Sequence, residues 1–134
     1  MIIHTIIQMT VVEFKKVLPK ICGKDTSFDP DGWTRKNMFW GHSAVVSLLA
    51  QSLFHGGIFG ISLRGTKFWK MKFNFCNVFP DGLSVDFTRA QFRKEYPDMS
   101  EAEKVEVYIL FANKNTRERF KLLLERFEAE CKKV

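Results

Sequence analysis

The sequence predicts an α+β fold in which N-terminal helices pack on a small antiparallel sheet and a helix closes the chain. Three observations carry this. Apolar residues recur at helical spacing over 9–19 and fill nearly all of 43–54. Residues 57–88 hold alternating runs, with "FWKMKFNFCNVF" and "LSVDFT" on either side of a "PDG" turn. After Thr116 the apolar positions Phe120, Leu123, Leu124 and Phe127 return to helical spacing, to about Lys132.

Each element has a local reason. Thr10 can cap the first helix, whose apolar face is Val11, Val12, Phe14, Val17 and Leu18, and Pro19 is expected to end it. Residues 22–40 read as a loop, since "DTSFDPDGW" is rich in turn formers. The second helix is apolar on all sides, which predicts burial, and Gly56 and Gly57 stop it. "GIFGISLR" reads as a strand. The three-residue "PDG" turn suits a bulged hairpin with Gly82 left-handed and Phe79 paired with Leu83. That register puts Phe73, Phe75, Phe79, Val85 and Phe87 on the core face. Asn74, Cys76, Asp86 and Thr88 share the other, with Asn74 and Asp86 in reach of each other. Ser100 and Glu103 match a capping box and predict a short helix there, "VEVYILFA" fits helix or strand, and Thr116 is the expected cap of the last helix. The Arg, Lys and Glu residues of that helix read as a solvated face.

The 134 residues are read as one domain, 1–134, and a hydrophobic content of 46% supports a packed core. Fourteen Phe residues let few positions bury much area. The net charge of +6 admits an acidic protein or peptide partner, and nucleic acid as the less favoured one. Three cysteines without a CxxC argue against a disulfide framework or a zinc site. "MIIHTIIQM" lacks the charge and length of a signal segment, and no apolar run is long enough to span a bilayer. The expectation is a cytoplasmic protein with no membrane partner and no cofactor.

The run "FWGHSAVVSLLAQSLFHGG" sets Ser43 at a helix start, ahead of a strand and a hairpin that carries Asp86. That order is the layout of papain-like and transglutaminase-like enzymes, where a Cys opens a helix, a His follows on the sheet, and a neighbouring acid orients the His. The ordered segments "TSFDPDGW", "GHSAVVSLLAQSLFHGG", "NFCNVFPDGLSVDFTRAQF" and "NTRERFKLLL" sharpen the comparison. Through them the chain resembles the YunG-like family of small bacterial proteins over about residues 25–125. The resemblance implies a cysteine at Ser43, a histidine at Asn74, the acid at Asp86 beside Thr88, and a glutamine at His42. Two of the three catalytic positions are therefore altered. A serine hydroxyl needs an adjacent base, and Asn74 cannot accept a proton.

His42 is a candidate base or a polar loop residue, and His55 a helix-end cation or a turn residue. Ser43 is a degenerate nucleophile or a helix N-cap. Cys76 is a reactive thiol or, the favoured reading, a buried small hydrophobe. Trp33, Trp40 and Trp69 line a pocket or, more often for such residues, pack in the core. Three functions follow. The favoured one is a non-catalytic relative of the Cys-His-Asp layout whose retained pocket binds a protein segment or small ligand. The second is an acyl-transfer enzyme or amide hydrolase using Ser43. The third is a basic nucleic-acid-binding module built from Lys67, Lys70, Lys72 and Trp69 with Arg89, Arg93 and Lys94.

Overall fold

A computed structural model describes residues 8–133. His4 and the opening apolar run up to residue 7 lie outside the described residues. Four helices and four strands follow in the order α1 (Val11–Ile21), α2 (Ser43–Phe54), β1 (Gly57–Ser62), β2 (Phe73–Val78), β3 (Ser84–Val85), β4 (Glu103–Val105), α3 (Val107–Ala112) and α4 (Lys114–Cys131). The strands form one antiparallel sheet in the order β3-β2-β1-β4. The architecture is α+β, with α2 lying against β2 and α4 packed on α1, α2 and α3.

Helix α1 begins where expected. The Thr10 hydroxyl accepts the Glu13 N–H, and the Glu13 carboxylate accepts the Thr10 N–H. Pro19 does not end the helix, which runs on to Ile21. The carbonyl that Pro19 leaves without a donor belongs to Lys15, and both residues are exposed, so water can serve it. Val12 also departs from the expected apolar face, being 63% exposed. Phe14 is the centre of the core. Its ring meets Phe54, Phe87 and Phe127 at centroid distances of 5.5, 4.9 and 6.1 Å, all steeply inclined. Such a cluster joins α1, α2, the segment after β3 and α4 through preferred edge-to-face contacts.

The hairpin register agrees with the pattern of the sequence. Asn77 pairs with Val85 and Val78 with Ser84, and the Phe79 N–H donates to the Leu83 carbonyl at 2.9 Å. Gly82 has φ +92°. Phe75, Phe79, Val85 and Phe87 pack on the main core, but Phe73, the first residue of β2, is half exposed because it faces an open cleft rather than the core.

The segment after residue 95 differs from the expected short helix. The Ser100 N–H donates to the Asp98 carboxylate, and Glu103–Val105 forms β4 against β1. β1 would otherwise present an open edge. The ambiguous "VYILFA" run is α3. Helix α4 starts one turn earlier than expected: Asn113, not Thr116, is the cap, and its side-chain oxygen accepts the Thr116 N–H. Thr116 is instead buried in the first turn. At the end of α2, left-handed backbone begins at His55 (φ 66°) and continues at Gly56 (φ +76°).

Two glycines separate backbone strain from crowding. A Cβ at Gly56 would sit 2.1 Å from the Val78 carbonyl oxygen, whereas one at Gly82 would meet nothing within 4 Å. Both have positive φ. Gly82→Ala should therefore cost about 1–2 kcal/mol by strain alone, and Gly56→Ala clearly more, as measured by urea unfolding of the two variants side by side.

Candidate functional site

Helix α2 carries Ser43 at its first turn, and His42 occupies the N-cap position without a side-chain cap bond. Ser43 is thus not the cap. Its hydroxyl oxygen accepts the Phe75 N–H at 3.1 Å, tying the helix start to β2. β3 pairs only with Asn77 and Val78, so it supplies no partner this far along β2. The serine takes that place.

Asn74 turns to the opposite face of β2 from Phe75, as strand alternation requires. It is fully buried, and its amide donates to an Asp86 carboxylate oxygen at 2.9 Å. The Asp86 carboxylate also accepts the Tyr96 hydroxyl at 2.7 Å, the Thr88 N–H at 3.0 Å and the Thr88 hydroxyl at 3.2 Å. From Thr88 the network continues through the Gln91 amide, whose oxygen accepts the Gly41 N–H at 3.0 Å. A polar chain therefore links Asn74 to the turn that leads into α2. Burial, then Asp86 as hydrogen-bond acceptor, raises the Tyr96 hydroxyl well above its ordinary pKa. Among the described residues, no hydrogen bond joins Ser43 to Asn74.

His42 points elsewhere. It is fully buried, with Nδ1 3.0 Å from the Trp40 carbonyl and Nε2 2.7 Å from the Thr26 hydroxyl. A carbonyl only accepts, so the neutral ring carries its proton on Nδ1, and Nε2 faces the Thr26 hydroxyl, whose one proton is shared between that nitrogen and the Gly23 carbonyl at 3.0 Å. Burial lowers its pKa to about 4. This is a structural histidine, not a polar loop residue and not a partner of Ser43. His55 lies at the far end of α2, about 18 Å along the helix axis from Ser43.

The other predicted residues fall into two groups. Cys76 is buried, and desolvation with Asp86 nearby pushes its thiol up to about 11. Such a thiol is unreactive near neutral pH. Thr88 is buried in the Asp86 network. The tryptophans do not line the cleft described below. Trp33 donates to the Met38 carbonyl, Trp40 donates to Asp29 and tilts against Phe68, and Trp69 is 60% exposed. The first two hold the loop before α2. Of the predicted basic patch, Lys67 is ion-paired with Glu95 and the Arg89 guanidinium lies 4.1 Å from the Tyr96 ring centre.

A cleft of about 610 Å³ opens at the start of α2, between the helices and the end of the sheet. Gly41, Ser43 and Ala44 form one wall; Phe73 and Phe75 of β2 and Ile109 of α3 supply much of its apolar surface. Arg119 of α4, which the sequence pattern placed on a solvated face, is only 6% exposed and belongs to this lining. Nothing in the alternation of Arg, Lys and Glu marks it. The nearest signal is its place between Thr116 and Phe120, both buried. Among the described residues there is no cluster of three or more His, Cys, Asp or Glu able to hold a metal, and no helix long and apolar enough to cross a membrane.

A family model described as YunG protein covers residues 10–132. No curated protein and no solved structure matches the chain.

His42 makes stability depend on pH. The folded chain keeps the ring neutral down to about pH 4, whereas an ordinary histidine protonates near 6.5. Its contribution is complete above pH 6.5 and is lost as the pH falls through 4, up to about 3 kcal/mol. His42→Gln should flatten that part of the stability profile, measured by chemical unfolding between about pH 7 and pH 4. An unchanged slope in the variant would show that other groups set it.

Proposed function

The chain belongs to the YunG family, and we propose that it is a non-catalytic member of the papain-like and transglutaminase-like Cys-His-Asp layout, acting as a binding or interaction domain. The observation that carries this reading is the state of Ser43. Its oxygen accepts a backbone N–H, no basic side chain among the described residues is hydrogen-bonded to it, and an open cleft lies at that point. General-base assistance is worth about 10²–10⁴-fold to such chemistry. His42 is held by Trp40 and Thr26, and the Asn74 amide is engaged by Asp86. The expected occupant is a small ligand or a segment of an acidic partner, in the cytoplasm.

Two measurements test this. A fluorophosphonate probe is expected to leave the protein unlabelled; labelling that disappears in Ser43→Ala would show a working nucleophile and end the non-catalytic reading. The layout itself is tested by restoration. Ser43→Cys combined with Asn74→His should be alkylated by iodoacetamide at about pH 7 several-fold faster than Ser43→Cys alone, because a histidine partner lowers a thiol pKa. Equal alkylation rates at position 43, followed by peptide mapping, would mean that position 74 does not address position 43.

A further inference from the structure

We propose that the cleft is a site for a small carboxylic acid with an apolar body, the carboxylate bound by Arg119 beside the start of α2. This rests on the reading of the cleft as a binding site and names the chemistry of its ligand.

Arg119 is the reason. Its Nε donates to the Asn115 side-chain oxygen at 2.9 Å. Nη1 donates to the carbonyls of Thr26 and Gly41 at 3.1 and 3.4 Å, and Nη2 reaches the Thr116 hydroxyl at 3.5 Å. Every partner is neutral. A guanidinium has five N–H groups, so one N–H of Nη2 has no acceptor. None of the ion pairs among the described residues includes Arg119, although the side chain is more than nine-tenths buried. Its guanidinium carbon also lies 5.4 Å from the centre of the Phe28 ring, a contact that meets part of the charge but supplies no counter-ion. A buried cation without a counter-ion is costly.

The surroundings select the anion. The cleft's other charged residues are Lys72, Lys104, Glu101 and Glu103, all exposed and equal in number for each sign. Arg119 therefore sets the net charge at +1. One positive charge matches a carboxylate rather than a phosphate dianion, and guanidinium and carboxylate share a planar geometry. The Gly41 carbonyl bound by Arg119 lies two residues before Ser43, so the guanidinium sits next to the first turn of α2. There the Ser43 hydroxyl accepts from Phe75, leaving its own proton free to donate. The rest of the lining is largely apolar. Phe73 and Ile109 stand at the mouth, each about half exposed, where they can cover a hydrocarbon or aryl group. A volume of about 610 Å³ suits a small organic molecule.

The test compares matched ligands by titration calorimetry on the full chain: 3-phenylpropanoate and octanoate, their primary amides, and phenethyl phosphate. The acids should bind about tenfold or more tightly than the amides, the effect of one charge-assisted contact. Arg119→Gln should erase that preference. Ile109→Ala keeps the guanidinium and should weaken acids and amides by a similar factor. It also serves if Arg119→Gln fails to fold through loss of the Thr26 and Gly41 contacts. Amides that bind as well as acids, a phosphate that binds better than both, or a folded Arg119→Gln that keeps the preference would each overturn the carboxylate assignment while leaving the cleft as a binding site. Acid binding unmoved by Ile109→Ala would place the ligand elsewhere and overturn it too. If the wild-type chain takes none of the five compounds, the cleft-binding reading falls with it.

Discussion

Helix α2 is held on strand β2 by two hydrogen bonds set in an apolar core, and the site follows from them. The Ser43 hydroxyl accepts the Phe75 N–H, and the Asn77 amide donates to the Ser47 carbonyl at 3.0 Å. The spacings agree. Four residues of helix advance about 6 Å and two residues of strand about 6.6 Å. One helical turn therefore runs alongside one strand repeat, and both bonds form without bending either element. A purely apolar contact between a uniformly hydrophobic helix and a sheet would allow sliding and rotation. These bonds fix both, and they place the first turn of α2 at the end of β2 where the cleft opens. The cost is visible at Asn77, whose side-chain oxygen is buried without a partner. An unsatisfied acceptor of this kind costs about 1–3 kcal/mol.

The parts of this arrangement that are local in sequence were legible there. The "PDG" turn, with Gly82 as the residue that takes positive φ, fixes the hairpin register, and that register places Asn74 against Asp86. The bounds of α2 follow from its apolar run. What the sequence hid depends on contacts between distant segments. Ser100 and Glu103 have the spacing of a capping box, but Asp98 holds the Ser100 N–H and β1 offers Glu103–Val105 a free ladder. Thr116 suits a cap by its residue type, but Asn113 takes that place and Thr116 is buried one turn further on. His42 looked like a loop residue because its partner Thr26 lies sixteen positions earlier. Arg119 looked solvated because its acceptors, Thr26 and Gly41, come from the loop before α2.

Those two hidden residues share a segment. Thr26 gives its hydroxyl to His42 and its carbonyl to Arg119. Gly41, adjacent to His42, gives its carbonyl to Arg119 and its N–H to Gln91. The turn before α2 is thus fixed from three sides: the loop before it, α4 and the segment after β3. Together with the Ser43–Phe75 bond these contacts keep the backbone around Ser43 in one geometry.

Under the layout proposed above, the Asp86 network would be a catalytic arrangement without its chemistry. A histidine beside an acid has two tasks: one nitrogen donates to the acid, and the other accepts a proton. Asn74 performs the first, donating to Asp86, and cannot perform the second. Its oxygen is buried without a partner. Stability alone does not favour such an orphan acceptor. Asp86, however, accepts four hydrogen bonds, three of them from Tyr96 and Thr88, so its carboxylate is satisfied by groups that need no proton transfer. The demand at position 74 is then for a buried donor of the right length. Asparagine meets it, and Asp86 is the hub that joins β2 to the turn before α2.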